Sequence, residues 1–283
     1  PIGAPYDTLR EWGLFSDPSS YTPTARVEPY EVISPLYSDY TYKRRFVWLP
    51  EGAAITYTDQ GVWGFPVGSI LVKTFGYLHD IRDASLGEQK LEVRLLVHEA
   101  PNKWEHHIYV WDAAGSVATH EVAGDVVAAD WIHYDGKPRH NDYIVPNSND
   151  CQECHGKKDD GLLNTLGGRT RQLDKAGQIE RFASLGWFSN PPSEVRDKLV
   201  DPFGQAPLSD RVRSYLDANC GHCHTKGGQA SQSALLLDWT LTDPSTQPAA
   251  NWGVCKTPTS AGGATCGHSY DVVPGDPDTS IIL

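Results

Sequence analysis

The sequence contains no methionine among its 283 residues, so no thioether side chain is available as a metal ligand. It also lacks any run of about 18 apolar residues, the length that a membrane-spanning helix needs. Acidic side chains outnumber basic ones, 36 to 24, and the net charge is −12. Such a chain has no basic stripe to neutralise phosphates, which excludes nucleic acid as a partner. The same charge favours protein partners with basic surfaces.

Four of the six cysteines form two Cys-x-x-Cys-His frames, "CQECH" at 151–155 and "CGHCH" at 220–224. Two cysteines three positions apart can form thioether bonds to one haem, and the adjacent histidine can then bind the iron. The frames therefore predict two covalently bound c-type haems. The predicted attachment residues are Cys151, Cys154, Cys220 and Cys223, and the predicted proximal iron ligands are His155 and His224.

Two other uses of the frames stay open at this point. Cys-x-x-Cys pairs build structural zinc sites, and four cysteines with two histidines could form one. The two frames are farther apart in the sequence than the ligand pairs of zinc fingers or ribbons, which argues against that use. A thioredoxin-like thiol switch needs a βαβ context, which neither frame has.

Cys255 and Cys266 share one loop rich in glycine, threonine and proline. This pairing predicts a disulfide and therefore an oxidising compartment. A wide haem frame, from Cys255 to Cys266 and His268, is a less economical alternative because ten intervening residues make a loose loop. The chain begins "PIGAPYDTLR", which is typical of a processed form whose signal peptide has been removed. These features predict a periplasmic or extracellular location.

Each iron also needs a distal ligand, and the histidines outside the frames are the candidates. His268 lies where a loop could return over the second haem, and His140 shortly precedes the first frame. His106 and His107 alternate on a predicted strand, so one of them could point inward. Arg44 and Arg45 lie in the basic stretch "YKRRF" and could pair with haem propionates; the alternative is a charged edge strand.

Residues 25–148 carry the signature of β-strands. Runs such as "RRFVWLP", "SILVKTFGYL" and "KLEVRLLVHEA" are β-branched or aromatic and are separated by turn sequences. The stretch "LSDRVRSYLDANC" later in the chain is typical of an amphipathic helix. The predicted fold is α+β and multi-domain: an antiparallel β-sandwich or barrel-like domain, then a mainly α-helical, loop-rich cytochrome c region. The predicted segments are a lead-in at 1–24, the β domain at 25–148, a first haem segment at 149–205 and a second haem domain at 206–283.

Several stretches resemble a family of bacterial diheme c-type cytochromes with an N-terminal β-rich domain. They include "SPLYSDYTYKRRFVWLP", "FPVGSILVKTFGY", "DYIVPNSNDCQECH", "YLDANCGHCH" and "YDVVPGDPDTSIIL". The last two also resemble a class I cytochrome c domain. Such domains continue into a segment with a methionine ligand, which this chain lacks. Either a tail is missing from the sequence or the iron takes another ligand, and the choice affects the haem potential.

The resemblance and the frames predict one-electron transfer outside the cytoplasm. One alternative is a diheme oxidoreductase of the peroxidase type, in which one haem has an open site. Another is a β domain that binds a partner and connects it to the haems. Redox proteins are the expected partners, and the sequence leaves room for an oligomer or a filament.

Overall fold

The computed structural model describes residues 5–156, 165–259 and 267–282. These residues form two compact units. The first unit contains residues 5–32, 37–155 and 165–197, and the second contains residues 33–36, 156, 198–259 and 267–282. The first frame therefore belongs to the first unit and the second frame to the second unit.

The first unit is built around a six-stranded antiparallel sheet in which strands β3 to β8 follow one another in chain order. Strands β1 and β2 form one separate ribbon, and β9 and β10 form another. The strands are β1 Phe15–Asp17, β2 Thr22–Pro23, β3 Val27–Pro29, β4 Arg45–Trp48, β5 Ile70–Leu78, β6 Glu88–Ala100, β7 Lys103–Trp111, β8 Ala118–Glu121, β9 Asp125–Ile132 and β10 Pro138–Val145.

Side chains alternate between the two faces of this sheet, because successive residues of a strand point in opposite directions. We call the face that carries Val72, Val93 and Tyr109 the first face. The N-terminal segment covers it, and Leu9 and Trp12 are buried there in one hydrophobic cluster with these strand residues. The indole of Trp12 donates a hydrogen bond to the Tyr109 hydroxyl at 2.6 Å, which ties the segment to β7.

The opposite or second face, which carries Lys73, Arg94 and Ile108, supports two separate hydrophobic clusters. One cluster joins β4 and residues 55–65 to helices α2 (Thr170–Leu173) and α3 (Gln178–Ser184). The other joins β5, β6 and β7 to the β9–β10 ribbon. Residues 165–197 therefore share a core with the sheet, although they follow the first frame in the sequence.

The second unit contains one α-helix of any length, α4, which spans Leu208–Asn219. The remaining α-helix of the described residues, α1, spans Asp150–His155 in the first unit. Short 3-10 turns lie at Leu9–Trp12, Pro18–Ser20, Ala84–Leu86, Ser231–Ser233, Trp239–Leu241, Ala249–Trp252 and Pro277–Thr279.

The predicted fold class, with its mainly α-helical cytochrome c region, is wrong. The part of the chain that the structure describes is mostly antiparallel β-sheet and has four α-helices, all short. After α4 the chain meets prolines at 244, 248 and 258, and each removes a backbone donor and prevents a helix from continuing. Among the described residues of the second unit, only the stretch that precedes the second frame forms an α-helix.

Candidate functional site

The second frame forms a helical turn directly after α4. The backbone N–H of Cys220 donates to the Leu216 carbonyl at 2.9 Å, and the N–H of His224 donates to the Cys220 carbonyl at 2.8 Å. The frame thus continues the helical path, in which residues three and four apart share a side. Cys220, Cys223 and His224 are all half-buried, so this turn presents both thiols and the imidazole from a partly enclosed position.

The imidazole of His224 is oriented by a hydrogen bond to the backbone. Its Nδ1 lies 3.1 Å from the Leu235 carbonyl oxygen and 3.3 Å from Ser233 Oγ. A carbonyl oxygen can only accept, so Nδ1 carries a proton, and Nε2 is the nitrogen that the neutral ring would offer to a metal. Metal-binding histidines are typically held in this way, with the second ring nitrogen bonded to a carbonyl or carboxylate. The arrangement prepares His224 to bind a metal through Nε2.

The chain after the second frame folds back against it. The Leu237 N–H donates to the His224 carbonyl at 2.7 Å, and the Ala230 N–H donates to the Cys223 carbonyl at 3.1 Å. A Cβ at Gly221 would lie 3.1 Å from Cα of Asp238 in this returning segment and 2.9 Å from the Asp217 carbonyl oxygen in α4, so only glycine allows this close approach. The loop that orients His224 is therefore tied to the frame at several points.

The first frame lies on α1, where Cys151 and Cys154 are one helical turn apart. Cys151 is half-buried and packs against the hydrophobic cluster formed with the β9–β10 ribbon, whereas Cys154 is exposed. Burial raises the pKa of the Cys151 thiol to about 11. His155 is half-buried at the end of the helix. The first thiol is thus anchored on the apolar core, and the second faces outward.

A buried polar network lies beside Cys151. Glu92 is fully buried and accepts hydrogen bonds from Arg94 at 2.5 and 2.9 Å and from the Tyr143 hydroxyl at 2.6 Å. Burial, with the Glu92 charge next in size, raises the pKa of Tyr143, which keeps its hydroxyl protonated as a donor. The positive charge of Arg94 is close enough to Cys151 to act against the effect of burial on the thiol. Glu92 therefore partly neutralises a cation at the first frame.

The two arginines predicted to contact propionates differ in their surroundings. Arg44 donates to Glu88 at 2.6 Å, and its guanidinium lies over the ring of Tyr42 at 4.8 Å. Arg45 is opposite Lys73 on the second face of the sheet. Arg44 is thus already paired with a carboxylate, and Arg45 belongs to the face that carries the first frame's hydrophobic cluster.

His140, a predicted distal ligand, is exposed on β10 between two carboxylates. Its Nδ1 lies 2.9 Å from Asp130 and its Nε2 lies 3.3 Å from Asp142. Binding of a metal by either nitrogen would require the loss of one of these contacts. His268, the other predicted distal ligand, is half-buried. Cys255 is exposed, and its predicted disulfide partner Cys266 lies outside the described residues.

Replacing Asp130 with asparagine is expected to lower the pKa of His140. The hydrogen bond that Asp130 accepts from the ring is the largest cause of the raised pKa of this histidine. The pair stabilises the protein at acidic pH, where His140 is protonated in both states, and this stabilisation is lost as the pH rises through the raised pKa. An NMR titration of the His140 ring measures the effect. Asp142→Asn, which removes the longer contact, should lower the pKa less, and an unchanged pKa in D130N would contradict the assignment.

Comparisons with protein-family models, with curated proteins and with solved structures find no match for this chain. The likeness to diheme cytochromes therefore rests on the sequence stretches alone. Within the described ranges, no helix has the length and apolar character needed to span a membrane.

The residues of both frames fit a covalently attached haem. Each frame places two thiols one helical turn apart, and in the second frame the backbone orients the imidazole that follows. Across the described residues, no group of three or more histidine, cysteine, aspartate or glutamate side chains is arranged to enclose a metal ion.

Proposed function

We propose that this protein is a diheme c-type cytochrome that transfers single electrons outside the cytoplasm. The observation that carries the proposal is the hydrogen bond from His224 Nδ1 to the Leu235 carbonyl, which leaves Nε2 free within a Cys-x-x-Cys-His frame. A bound haem would supply an Fe(III)/Fe(II) couple at each frame. The similarity of the sequence to bacterial diheme cytochromes with a β-rich domain supports the same assignment.

The residues of the chain have separate tasks in this function. The thiols of Cys220 and Cys223 hold the cofactor, and Leu235 fixes the tautomer of His224. At the first frame, Cys151 is anchored on the core of the β unit. The surrounding burial and charge set the potential of each iron. The acidic net charge favours redox partners with basic surfaces.

The experiment that tests this function counts haems in frame variants. The chain is produced in a host that matures c-type cytochromes and is analysed by intact mass and by the pyridine haemochrome spectrum. We expect two haems in the native chain, one in Cys151→Ala/Cys154→Ala and one in Cys220→Ala/Cys223→Ala. Cys255→Ala is the matched control and should retain both haems, because Cys255 lies outside the frames.

Two results would contradict the proposed function. A native chain that carries no covalent haem but binds zinc would assign the frames to metal binding. A native chain whose two haems both fail to undergo reversible one-electron reduction in a potentiometric titration would exclude electron transfer. A stable high-spin iron with peroxide turnover would instead identify the oxidoreductase alternative.

A further inference from the structure

His106 on β7 has an unusual environment for a histidine. Both of its ring nitrogens are buried, and neither has a hydrogen-bond partner among the described residues. A buried polar group without a partner costs about 1–3 kcal/mol, so native proteins rarely keep one without a reason. Two such atoms on one imidazole indicate a ligand that the polypeptide itself does not provide.

The neighbouring histidines differ from His106. His107 points to the first face of the sheet, where its ring lies 5.6 Å from Trp12 and 5.7 Å from His120. His98 stacks on Trp104 at 4.4 Å, and its Nδ1 lies 2.9 Å from the Phe65 carbonyl oxygen. The Nδ1 atom of His98 thus has a bonding partner, and the ring of His107 packs against two other rings, although its Nε2 is buried without a hydrogen-bond partner. Among the described residues, His106 alone has both ring nitrogens in that state.

The position of His106 connects it with the first frame. It lies opposite Leu96, two residues before Ile108, which is opposite Arg94. Alternation places His106, Ile108 and Val110 on the second face. Ile108 and Val110 belong to the hydrophobic cluster against which Cys151 packs. The imidazole of His106 therefore lies on the same strand and the same face as two residues of the hydrophobic cluster against which Cys151 packs.

The same face carries a row of cations in adjacent strands. Arg45 is opposite Lys73, and Lys73 is opposite Arg94, so the three residues form a line across β4, β5 and β6 that we call the cation row. Neighbouring strands are about 4.8 Å apart, and like charges directly opposite each other are destabilising. Such a row is stable when an anion lies over it.

Little of this charge is compensated by the protein. Glu92 pairs with Arg94, but neither Arg45 nor Lys73 forms an ion pair within the described ranges. The ammonium of Lys73 lies 4.9 Å from the centre of the Phe75 ring, and the guanidinium of Arg94 lies 4.3 Å from it. Burial, together with the charges of Arg45 and Arg94, lowers the pKa of Lys73 well below its usual value. A carboxylate over the row would favour the charged form of Lys73.

We propose that His106 is the second axial ligand of the haem iron attached at Cys151 and Cys154. We also propose that Arg45 and Lys73 bind carboxylates beside that haem. This inference rests on the proposed function. The iron would provide the partner that the His106 ring lacks, and the haem's own propionates are the nearest source of carboxylates. The second axial ligand would then be a histidine in a chain without methionine, and the first iron would be closed to peroxide.

The decisive experiment replaces His106 with alanine in the haem-loaded chain. The effect is read by EPR and optical spectroscopy in two backgrounds, the full chain and the chain with Cys220→Ala/Cys223→Ala, which keeps only the first haem. We expect one of two haems to change from low to high spin in the first background and the single haem to change in the second. Added imidazole should restore the low-spin spectrum.

His107→Phe is the matched control, since His107 is the next residue on β7 and points to the other face. It should leave both haems low spin. His106→Met offers a second variant that keeps a ligand, and it should raise the potential of the first haem alone, because methionine ligation favours the reduced iron. Low-spin iron in H106A at the first frame would overturn the assignment of His106. Mass spectrometry of the same samples separates this outcome from a first frame without haem, which would overturn the proposed function itself.

The role of the cation row is tested by Lys73→Met, with Lys103→Met as the control. Lys103 is exposed and already paired with Glu99 and Glu105. Loss of a cation near the haem carboxylates should lower the reduction potential of the first haem in K73M and not in K103M. An unchanged potential in K73M, with a native potential that shifts when succinate is added, would assign the row to a free dicarboxylate and overturn the propionate role.

Discussion

Glu92→Ala is expected to lower the free energy of unfolding of the first unit by about 3 kcal/mol, the lower end of the range for breaking a buried ion pair. The Glu92 side chain is fully buried and accepts three hydrogen bonds, from Arg94 and Tyr143. Its removal leaves Arg94 without its carboxylate in a face that already holds Arg45 and Lys73. The Arg94 side chain is 32% exposed, which lets water recover part of the loss. Urea denaturation followed by far-UV circular dichroism measures the change.

Glu99→Ala is the matched control for this substitution. Glu99 pairs with Lys103 at 2.8 Å on the same sheet, but the lysine side chain is 55% exposed. Surface pairs of this kind contribute about 0–1 kcal/mol. Equal losses of unfolding free energy in E92A and E99A would contradict the prediction that the Glu92 network contributes as a buried ion pair.

The second large effect is expected for Phe182→Ala. This large-to-small change in a core should lower the free energy of unfolding by about 3–5 kcal/mol. Phe182 is 1% exposed, stacks on Trp187 with ring centres 5.3 Å apart, and shares a cluster with Val47 and Leu49 from the sheet side. The loss of the ring leaves a cavity between α3 and the sheet. The measurement is again urea denaturation, followed by the far-UV circular dichroism of the sheet.

Leu185→Ala, at the end of the same helix, is the control for F182A. Leu185 is 47% exposed, and exposed positions of this kind usually change stability by about 0.5 kcal/mol or less. If the sheet transition of F182A matched that of L185A, residues 165–197 would not share the core of the first unit.

The attachment frames could be recognised from the sequence because their chemistry depends on local spacing. Cys220, Cys223 and His224 follow a helix whose own residues predict it, and the structure has α4 end at Asn219, directly before the frame. Strand runs such as Ile70–Leu78 could also be recognised, because β-branched and aromatic residues form a continuous stretch between turns. Both kinds of pattern are short and need no distant partner.

The fold of the C-terminal region could not be predicted in this way. The helical pattern of α4 does not predict the structure of the residues that follow the second frame, because prolines and glycines interrupt the chain after residue 224. The resemblance to a helical cytochrome domain rested on two short stretches at its ends. Such stretches do not determine the secondary structure of the residues between them.

By itself, the sequence determined the spacing of the two frames, the acidic charge and the lack of methionine, since these are properties of neighbouring residues or of composition. The tertiary structure alone decided which of two adjacent residues lies on which face of the sheet. It placed Arg45 beside Lys73 and left Arg44 with Glu88, and it buried the ring nitrogens of His106 without a hydrogen-bond partner among the described residues. The reason is physical: strand register and long-range packing choose between neighbours that alternation makes equivalent in the sequence.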